Sequence, residues 1–160
     1  MAIPMDRLQV AVNGYRNKIR DLPPQEAINH LQKSLAYLTK LYMGVQLKKE
    51  DTPLLIEGSD FVRSKYGHLG LEEIREAFRL SQTLQVNLKA YYGTFSLISI
   101  GELLDAYTKY RNKVINQLID EQQKIEREKR KEEEKGEKNK EAVQDAIESF
   151  NLAVKSKNEL

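Results

Sequence analysis

The feature that most constrains the fold is a long run of helical periodicity that begins near Ser96 and continues into a highly charged segment. Ser99, with Glu102 three residues later, fits a capping box and predicts the start of the helix. One stripe then follows at steps of three and four: Leu104, Tyr107, Arg111, Val114, Leu118, Glu121 and Ile125. Only the first turns carry a core face. We therefore expect the helix to begin inside a globular domain and to leave it.

Composition favours an all-α fold. The 160 residues suffice for one domain with a core, and only 8 are Gly and 4 are Pro, as is typical of helical proteins. The net charge of +2 provides no overall field that would attract nucleic acid or anionic lipid. The lack of Cys excludes disulfides, and no apolar run is long enough to span a membrane. Without a secretory signal, we expect a cytoplasmic protein.

The first 21 residues allow two interpretations. Leu8, Val12, Tyr15 and Ile19 have helical spacing, whereas Gly14 weakens a helix. The segment is either a short helix docked on the body or an arm that folds on a partner.

Residues 22–118 are predicted to form a helical domain. Its clearest helix spans 25–43, with Gly44 as the C-terminal cap. The expected core residues of that helix are Ile28, Leu31, Leu35, Leu38 and Tyr42.

Two further helices are expected in this domain. Thr52 and Pro53 provide a cap and a first residue for one of them, with Gly58 as a candidate break. A short helix follows over 71–78. Residues 81–98 are irregular, with the Tyr91-Tyr92 pair as a candidate for inward packing.

The remainder divides into a charged helical extension over 119–138 and a C-terminal amphipathic helix over 139–160, with Gly136 as the break between them. The apolar stripe of the last helix must be buried on the body, on the long helix as a hairpin, or on a partner. We take its members as candidate partner-binding residues: Val143, Ile147, Phe150 and Val154.

No pattern points to an enzyme. His30 and His68 are far apart without Cys support, so no metal site is expected. The sequence also lacks a nucleophile elbow and a phosphate-binding loop. We expect neither catalytic residues nor a cofactor.

Two basic-aromatic clusters are candidates for nucleic-acid binding, because bases stack on tyrosines while Lys and Arg contact phosphates. A solvated helix surface explains the same residues equally well. The first cluster comprises Lys109, Tyr110, Arg111 and Lys113, and the second comprises Lys89, Tyr91 and Tyr92.

Three segments carry a resemblance to a known group of proteins. Residues 71–80 read LEEIREAFRL, residues 92–96 read YGTFS, and residues 103–111 read LLDAYTKYR. Together they resemble small helical proteins of Bacteroidetes phages and mobile elements, with their EIxxAF helix, YGxF turn and LxAYxxxR helix. The resemblance covers less than half of the chain and implies a replication accessory protein of the helicase-loader or replisome-organiser type. Without a nucleotide-binding motif, such a role would be that of an adaptor.

Two functions therefore remain as hypotheses. The first is a non-enzymatic adaptor in phage-type DNA replication, which binds a helicase or another replication protein in the host cytoplasm. The second is a structural or assembly protein of a phage particle, which oligomerises through its long helix and resides in the virion. A protein partner is expected, and nucleic acid or a second copy of the chain stays open as a partner.

Overall fold

The computed structural model describes residues 5–159, and it confirms the all-α prediction. Within these residues there is no strand, and three short 3₁₀ helices accompany the five α-helices. The α-helices are α1 (Met5–Arg16), α2 (Pro24–Met43), α3 (Thr52–Tyr66), α4 (Leu71–Arg79) and α5 (Leu97–Asn158). Residues 1–4 and 160 of the predicted terminal segments lie outside the described residues.

Two alternatives were predicted for the N-terminal segment, and the structure shows the first of them, a short helix docked on the body. In α1 the buried residues are Ala11 and Gly14, whereas Tyr15 is exposed, contrary to its place on the predicted stripe. Gly14 lies directly over α4, where a Cβ atom would overlap the Glu73 carboxylate. Glycine is therefore required for the close packing of α1 on α4.

Helix α2 confirms the prediction for residues 25–43 almost residue for residue. Pro24 occupies the first turn, and Gly44 ends the helix in the left-handed conformation with φ +62°. The leucines of the predicted stripe, Leu31, Leu35 and Leu38, are buried, whereas Ile28 and Tyr42 are only half-buried.

Helix α3 runs through Gly58 without the expected break. A Cβ atom at Gly58 would lie 2.8 Å from Cζ of Phe95, so the glycine accommodates a close neighbour rather than a bend. The helix also starts one residue earlier than predicted, with Thr52 already helical after a short 3₁₀ turn.

The segment between α4 and α5 is irregular, as predicted, but its tyrosines do not pack inward. Leu88 is buried, whereas Tyr91 and Tyr92 are exposed. Gly93, with φ +80°, donates its N–H to the Met43 carbonyl at 2.7 Å. This bond ties the segment to the C-terminal end of α2.

The predicted cap of α5 was placed three residues too late. The helix begins at Leu97, and the Ser96 Oγ accepts the N–H of Ser99 at 3.2 Å. Ser99 is buried inside the helix, and its hydroxyl has no hydrogen-bond partner. The correct cap was one helical turn upstream of the residue that the capping-box pattern selected.

The predicted break at Gly136 was wrong, because α5 is continuous to Asn158. The expected charged extension and the expected C-terminal helix are therefore one helix. Glycine weakens a helix interior by only about 1 kcal/mol relative to Ala. The residues around Gly136 are strong helix formers, and their opposite charges recur at steps of three and four. Both features favour a helix that continues through Gly136.

The chain divides into two units, Met1–Asn116 and Gln117–Leu160, close to the predicted boundary after residue 118. The core lies in the first unit and combines α2, α3, α4 and the first turns of α5. Its largest members are Ile19, Leu31, Leu35, Leu38, Met43, Tyr66, Leu69, Ile74, Phe78, Ile100, Leu103 and Tyr107. In the second unit Leu118 is half-buried, and residues 119–159 are exposed.

Candidate interaction surfaces

A buried carboxylate, Glu73, is the chemical centre of the first unit. Helix α4 places it in the first turn, where its Oε2 accepts the N–H of Gly70 at 2.8 Å. Two residues of α5 donate to its Oε1: the Tyr107 hydroxyl at 3.0 Å and Arg111 Nε at 2.8 Å. We call these four residues the Glu73 cluster.

In the Glu73 cluster, burial and hydrogen bonding shift the pKa of Glu73 in opposite directions. Burial raises the pKa of Glu73, and the Gly70 N–H, the Arg111 charge and the Tyr107 hydroxyl oppose that rise. Burial also raises the pKa of Tyr107, and the neighbouring Glu73 charge adds to the shift. Tyr107 is therefore a neutral donor at physiological pH.

The geometry of the Glu73 cluster indicates a structural role. Both carboxylate oxygens already accept hydrogen bonds, and the Arg111 guanidinium also approaches the His68 carbonyl at 3.4 Å. The cluster joins α4 to α5 inside the core. The Glu73 side chain is fully buried within it.

A second polar contact joins α3 to α5. The Tyr66 hydroxyl donates to Asp105 Oδ1 at 2.7 Å and also lies 3.0 Å from the Gly101 carbonyl oxygen. Burial raises the pKa of Tyr66, and the hydrogen bond to Asp105 raises it further. This contact fixes α5 against α3.

His68 lies beside the Glu73 cluster, in the turn between α3 and α4. Burial lowers the pKa of His68, and the positive charges of Arg111, Arg20 and Lys18 lower it further. Its Nε2 is 3.4 Å from the Thr108 hydroxyl. His68 therefore remains neutral at a lower pH than an ordinary histidine.

A surface depression of about 380 Å³ lies between α1 and the start of α4, lined by Asn13, Gly14, Asn17, Leu22, Gly70, Leu71 and Glu72. Across residues 5–159, no group of three or more His, Asp or Glu side chains is arranged to hold a metal ion.

The structure removes Arg111 from the predicted nucleic-acid surface. Its guanidinium is buried on Glu73, so it cannot contact a phosphate without leaving that carboxylate uncompensated. Tyr110 is half-buried beside Tyr107, with ring centroids 6.1 Å apart. Lys109 and Lys113 remain exposed on α5.

The second predicted cluster is exposed but belongs to a different element. Lys89, Tyr91 and Tyr92 are exposed in the segment before α5. Tyr92 is 73% exposed, and its ring lies against Gly44, where it blocks any added Cβ. The two clusters are thus attached to different parts of the first unit.

Sequence reasoning missed an apolar surface on α2. Tyr37 and Leu41 are both more than half exposed, and they share a helix face with Gly44, which Tyr92 covers. The available signal was two large apolar residues four apart and outside the core stripe of α2. We call Tyr37, Leu41 and Tyr92 the α2 patch.

The predicted partner-binding stripe is exposed in the second unit. Its four residues, Val143, Ile147, Phe150 and Val154, have exposed fractions between 42% and 69%. Ile125, earlier on α5, is 52% exposed. Apolar side chains at this spacing and exposure are typical of a helix that binds another protein.

Comparisons with protein-family models, with curated proteins and with solved structures find no match to this chain. Among residues 5–159, no helix combines the length and apolar character that crossing a membrane requires.

Proposed function

We propose that this chain is a non-enzymatic adaptor that acts by binding other proteins through α5. The observation that carries the proposal is the stripe of Val143, Ile147, Phe150 and Val154, which is exposed on a long helix. An exposed apolar stripe at helical spacing binds another apolar surface, because burial of each large side chain contributes roughly 1.5–3 kcal/mol. The buried Glu73 cluster supports the packing of α4 on α5.

The proposed setting is phage-type DNA replication, with a helicase or another replication protein as the partner. This setting rests on the resemblance of residues 71–80, 92–96 and 103–111 to small helical proteins of Bacteroidetes phages and mobile elements. In that setting the chain would act in the host cytoplasm.

Calorimetric titration of the full chain with the replicative helicase of a Bacteroidetes host tests the adaptor role. We expect saturable heat with the wild type and none with Phe150→Asp. Leu152→Asp is the matched control, because Leu152 is exposed to the same fraction, 69%, on another face of α5. A wild type that binds no helicase, or binding that Phe150→Asp leaves unchanged, would overturn the replication adaptor.

The uninterrupted α5 favours a second candidate function, a structural or assembly protein of a phage particle. A continuous helix with exposed apolar residues both before and after Gly136 is suited to joining copies of the chain. In a virion, the chain would be present in stoichiometric copies. Light scattering on the full chain would show a defined oligomer, and a strict monomer would contradict this candidate.

Direct nucleic-acid binding is proposed only for the exposed members of the two clusters: Lys89, Tyr91, Tyr92, Lys109 and Lys113. Fluorescence anisotropy with labelled single-stranded DNA at two salt concentrations tests it. Salt-sensitive binding that Tyr92→Ala weakens would support it, because bases stack on exposed tyrosines. Absence of binding at low salt would exclude it.

A further inference from the structure

The continuity of α5 fixes the directions of its side chains. In an α-helix each residue turns by about 100°, so residues eighteen apart point the same way after five turns. Leu118 and Val154 are each eighteen residues from Gly136 and therefore share its direction. The residues within about 40° of this direction form what we call the Gly136 face. Its members are Leu118, Gln122, Ile125, Lys129, Glu132, Gly136, Lys140, Val143, Ile147, Phe150 and Val154.

The Gly136 face is open to a partner. All of its members are exposed except Leu118, which is half-buried. Apart from its two chain neighbours and the backbone of its own helix turns, no atom of the described residues lies within 4 Å of the position that a Cβ would take at Gly136. The fold of the chain itself therefore gives no reason for a glycine there, although glycine weakens a helix interior.

The Gly136 face is complementary to a copy of itself that runs in the opposite direction. Residues at equal distances before and after Gly136 form matching pairs. Leu118 matches Val154, Ile125 matches Ile147, and Glu132 matches Lys140. The two remaining pairs are compatible, since the alkyl stem of Lys129 can cover Val143 and Gln122 can cover the Phe150 ring.

The charges of the whole segment follow the same symmetry. Between residues 118 and 154, no pair at equal distances from Gly136 carries like charges. The pairs of opposite charge are Lys135/Glu137, Glu134/Lys138, Glu132/Lys140, Lys131/Glu141, Arg127/Asp145 and Lys124/Glu148. Only Glu132/Lys140 of these pairs lies on the Gly136 face, because the other five pairs point away from it by 100° or more. On the face itself, a shift by one residue loses the match, because it aligns Ile125 with Ala146 or Glu148 and Glu132 with Asn139 or Glu141.

We propose that the partner of the Gly136 face is a second copy of this chain, which packs antiparallel with Gly136 of one copy beside Gly136 of the other. An isologous antiparallel contact places each residue of the Gly136 face that precedes Gly136 against its counterpart after Gly136 on the other copy. Because α5 does not bend at Gly136, its two halves cannot make these contacts within one molecule.

The geometry of the proposed pair follows from the same face. The overlap of residues 118–154 is about 55 Å long. Side-chain directions along the Gly136 face repeat every eighteen residues, or five turns, and this period suits straight rather than supercoiled helices. Two glycines at the centre allow the backbones to approach closely. The overlap lies entirely within the unit Gln117–Leu160.

Sedimentation equilibrium of the full chain tests the existence of the pair. We expect a dimer for the wild type and a monomer for Ile147→Asp, which places a charge against Ile125 of the other copy. Leu152→Asp is the control, because Leu152 points about 160° away from the Gly136 face. A wild-type monomer at all concentrations, or a dimer that Ile147→Asp leaves intact, would overturn the proposal.

Charge reversal tests the register. Glu132→Lys and Lys140→Glu should each raise the dimer Kd by about tenfold, because each replaces attraction with repulsion at two equivalent places. An equimolar mixture of the two variants should restore wild-type affinity, since every contact between residues 132 and 140 then joins opposite charges. Arg127→Glu, on the opposite side of the helix, should have little effect. Failure of the mixture to restore affinity would overturn the antiparallel register.

The inference rests on the proposal that α5 is a protein-binding helix. A second copy and a helicase would both contact Phe150, so they would compete for this surface. The test of the inference uses this chain alone, whereas the adaptor test uses a helicase. A monomer that binds helicase through Phe150 would overturn only the inference. A dimer that ignores helicase would overturn only the replication adaptor.

Discussion

At the scale of single residues, the most consequential contact is the buried ion pair between Glu73 and Arg111. The exposed fractions of the two side chains are 0% and 5%, so neither is solvated when the other is removed. Arg111→Met should therefore lower the free energy of unfolding by about 3–5 kcal/mol, because it leaves Glu73 as an unpaired buried charge. Urea denaturation followed by circular dichroism measures this change.

Lys65→Met provides the comparison for that experiment. Lys65 pairs with Asp105 at 4.0 Å, with more than half of each side chain exposed, so its loss should cost less than about 1 kcal/mol. Equal losses in the two variants would contradict the structural role of Arg111.

His68 should make stability depend on pH. Its pKa is lowered in the folded protein, chiefly by burial, so the unfolded chain binds the proton more readily. The stability that neutral His68 contributes is complete above its ordinary pKa of about 6.5, and it is lost as pH falls toward the lower pKa of the folded state. His68→Gln should flatten the decline in the free energy of unfolding between about pH 7 and pH 5.

The control for this titration is His30→Gln, since the His30 side chain is 55% exposed on α2. Denaturation midpoints at closely spaced pH values would show whether His68→Gln and His30→Gln change the stability profile differently. A His68→Gln profile that matches the wild type would contradict the role of His68 in the pH dependence of stability.

At the scale of elements, the start of α5 gives a paired prediction. Ser96→Ala should lower the free energy of unfolding by about 0.5–2 kcal/mol, because it removes the acceptor of the Ser99 N–H. Ser99→Ala should be neutral or stabilising, because it removes a buried hydroxyl that lacks a partner. Thermal unfolding of both variants decides whether Ser96 or Ser99 is the cap. A larger loss of stability for Ser99→Ala than for Ser96→Ala would restore the predicted capping box.

Elements with strong local signals were predictable. The leucine stripe and Gly44 fix α2, since a stripe at steps of three and four and a left-handed glycine act locally. The cap of α5 was not predictable with the same accuracy, because Ser96 and Ser99 are both good cap residues and packing of the following turn selects between them.

Features that depend on distant contacts were not predictable. Arg111 lies on the predicted stripe of α5 and also within a basic run, and only its pairing with Glu73, 38 positions away, assigns it to the core rather than to the surface. Gly14 and Gly58 looked like helix breakers, whereas each accommodates a neighbour from another element. The exposure of Tyr92 and the α2 patch likewise depend on how the segment before α5 folds against Gly44.

At the scale of the whole molecule, the chain combines a folded unit with an exposed helical unit. In the first unit, the Glu73 cluster links α4 to α5 within the core. In the second unit, no residue from 119 to 159 is buried. An exposed helix of this length is maintained partly by its mixed charges at steps of three and four. The proposed pairing with a second copy rests on the Gly136 face, where Leu118/Val154, Ile125/Ile147 and Glu132/Lys140 match when the face is reversed.

The most direct test of this account is the distance between spin labels in the paired helices. The chain has no Cys, so a single Cys introduced at Glu134, Gln123 or Ser149 gives one label per copy at a position that points away from the Gly136 face. An antiparallel pair centred on Gly136 separates the labels along the helix axis by about 6 Å at 134 and about 39 Å at both 123 and 149. Equal short distances at all three positions would indicate a parallel pair, and the absence of a dipolar signal would indicate a monomer. Either result would contradict the account.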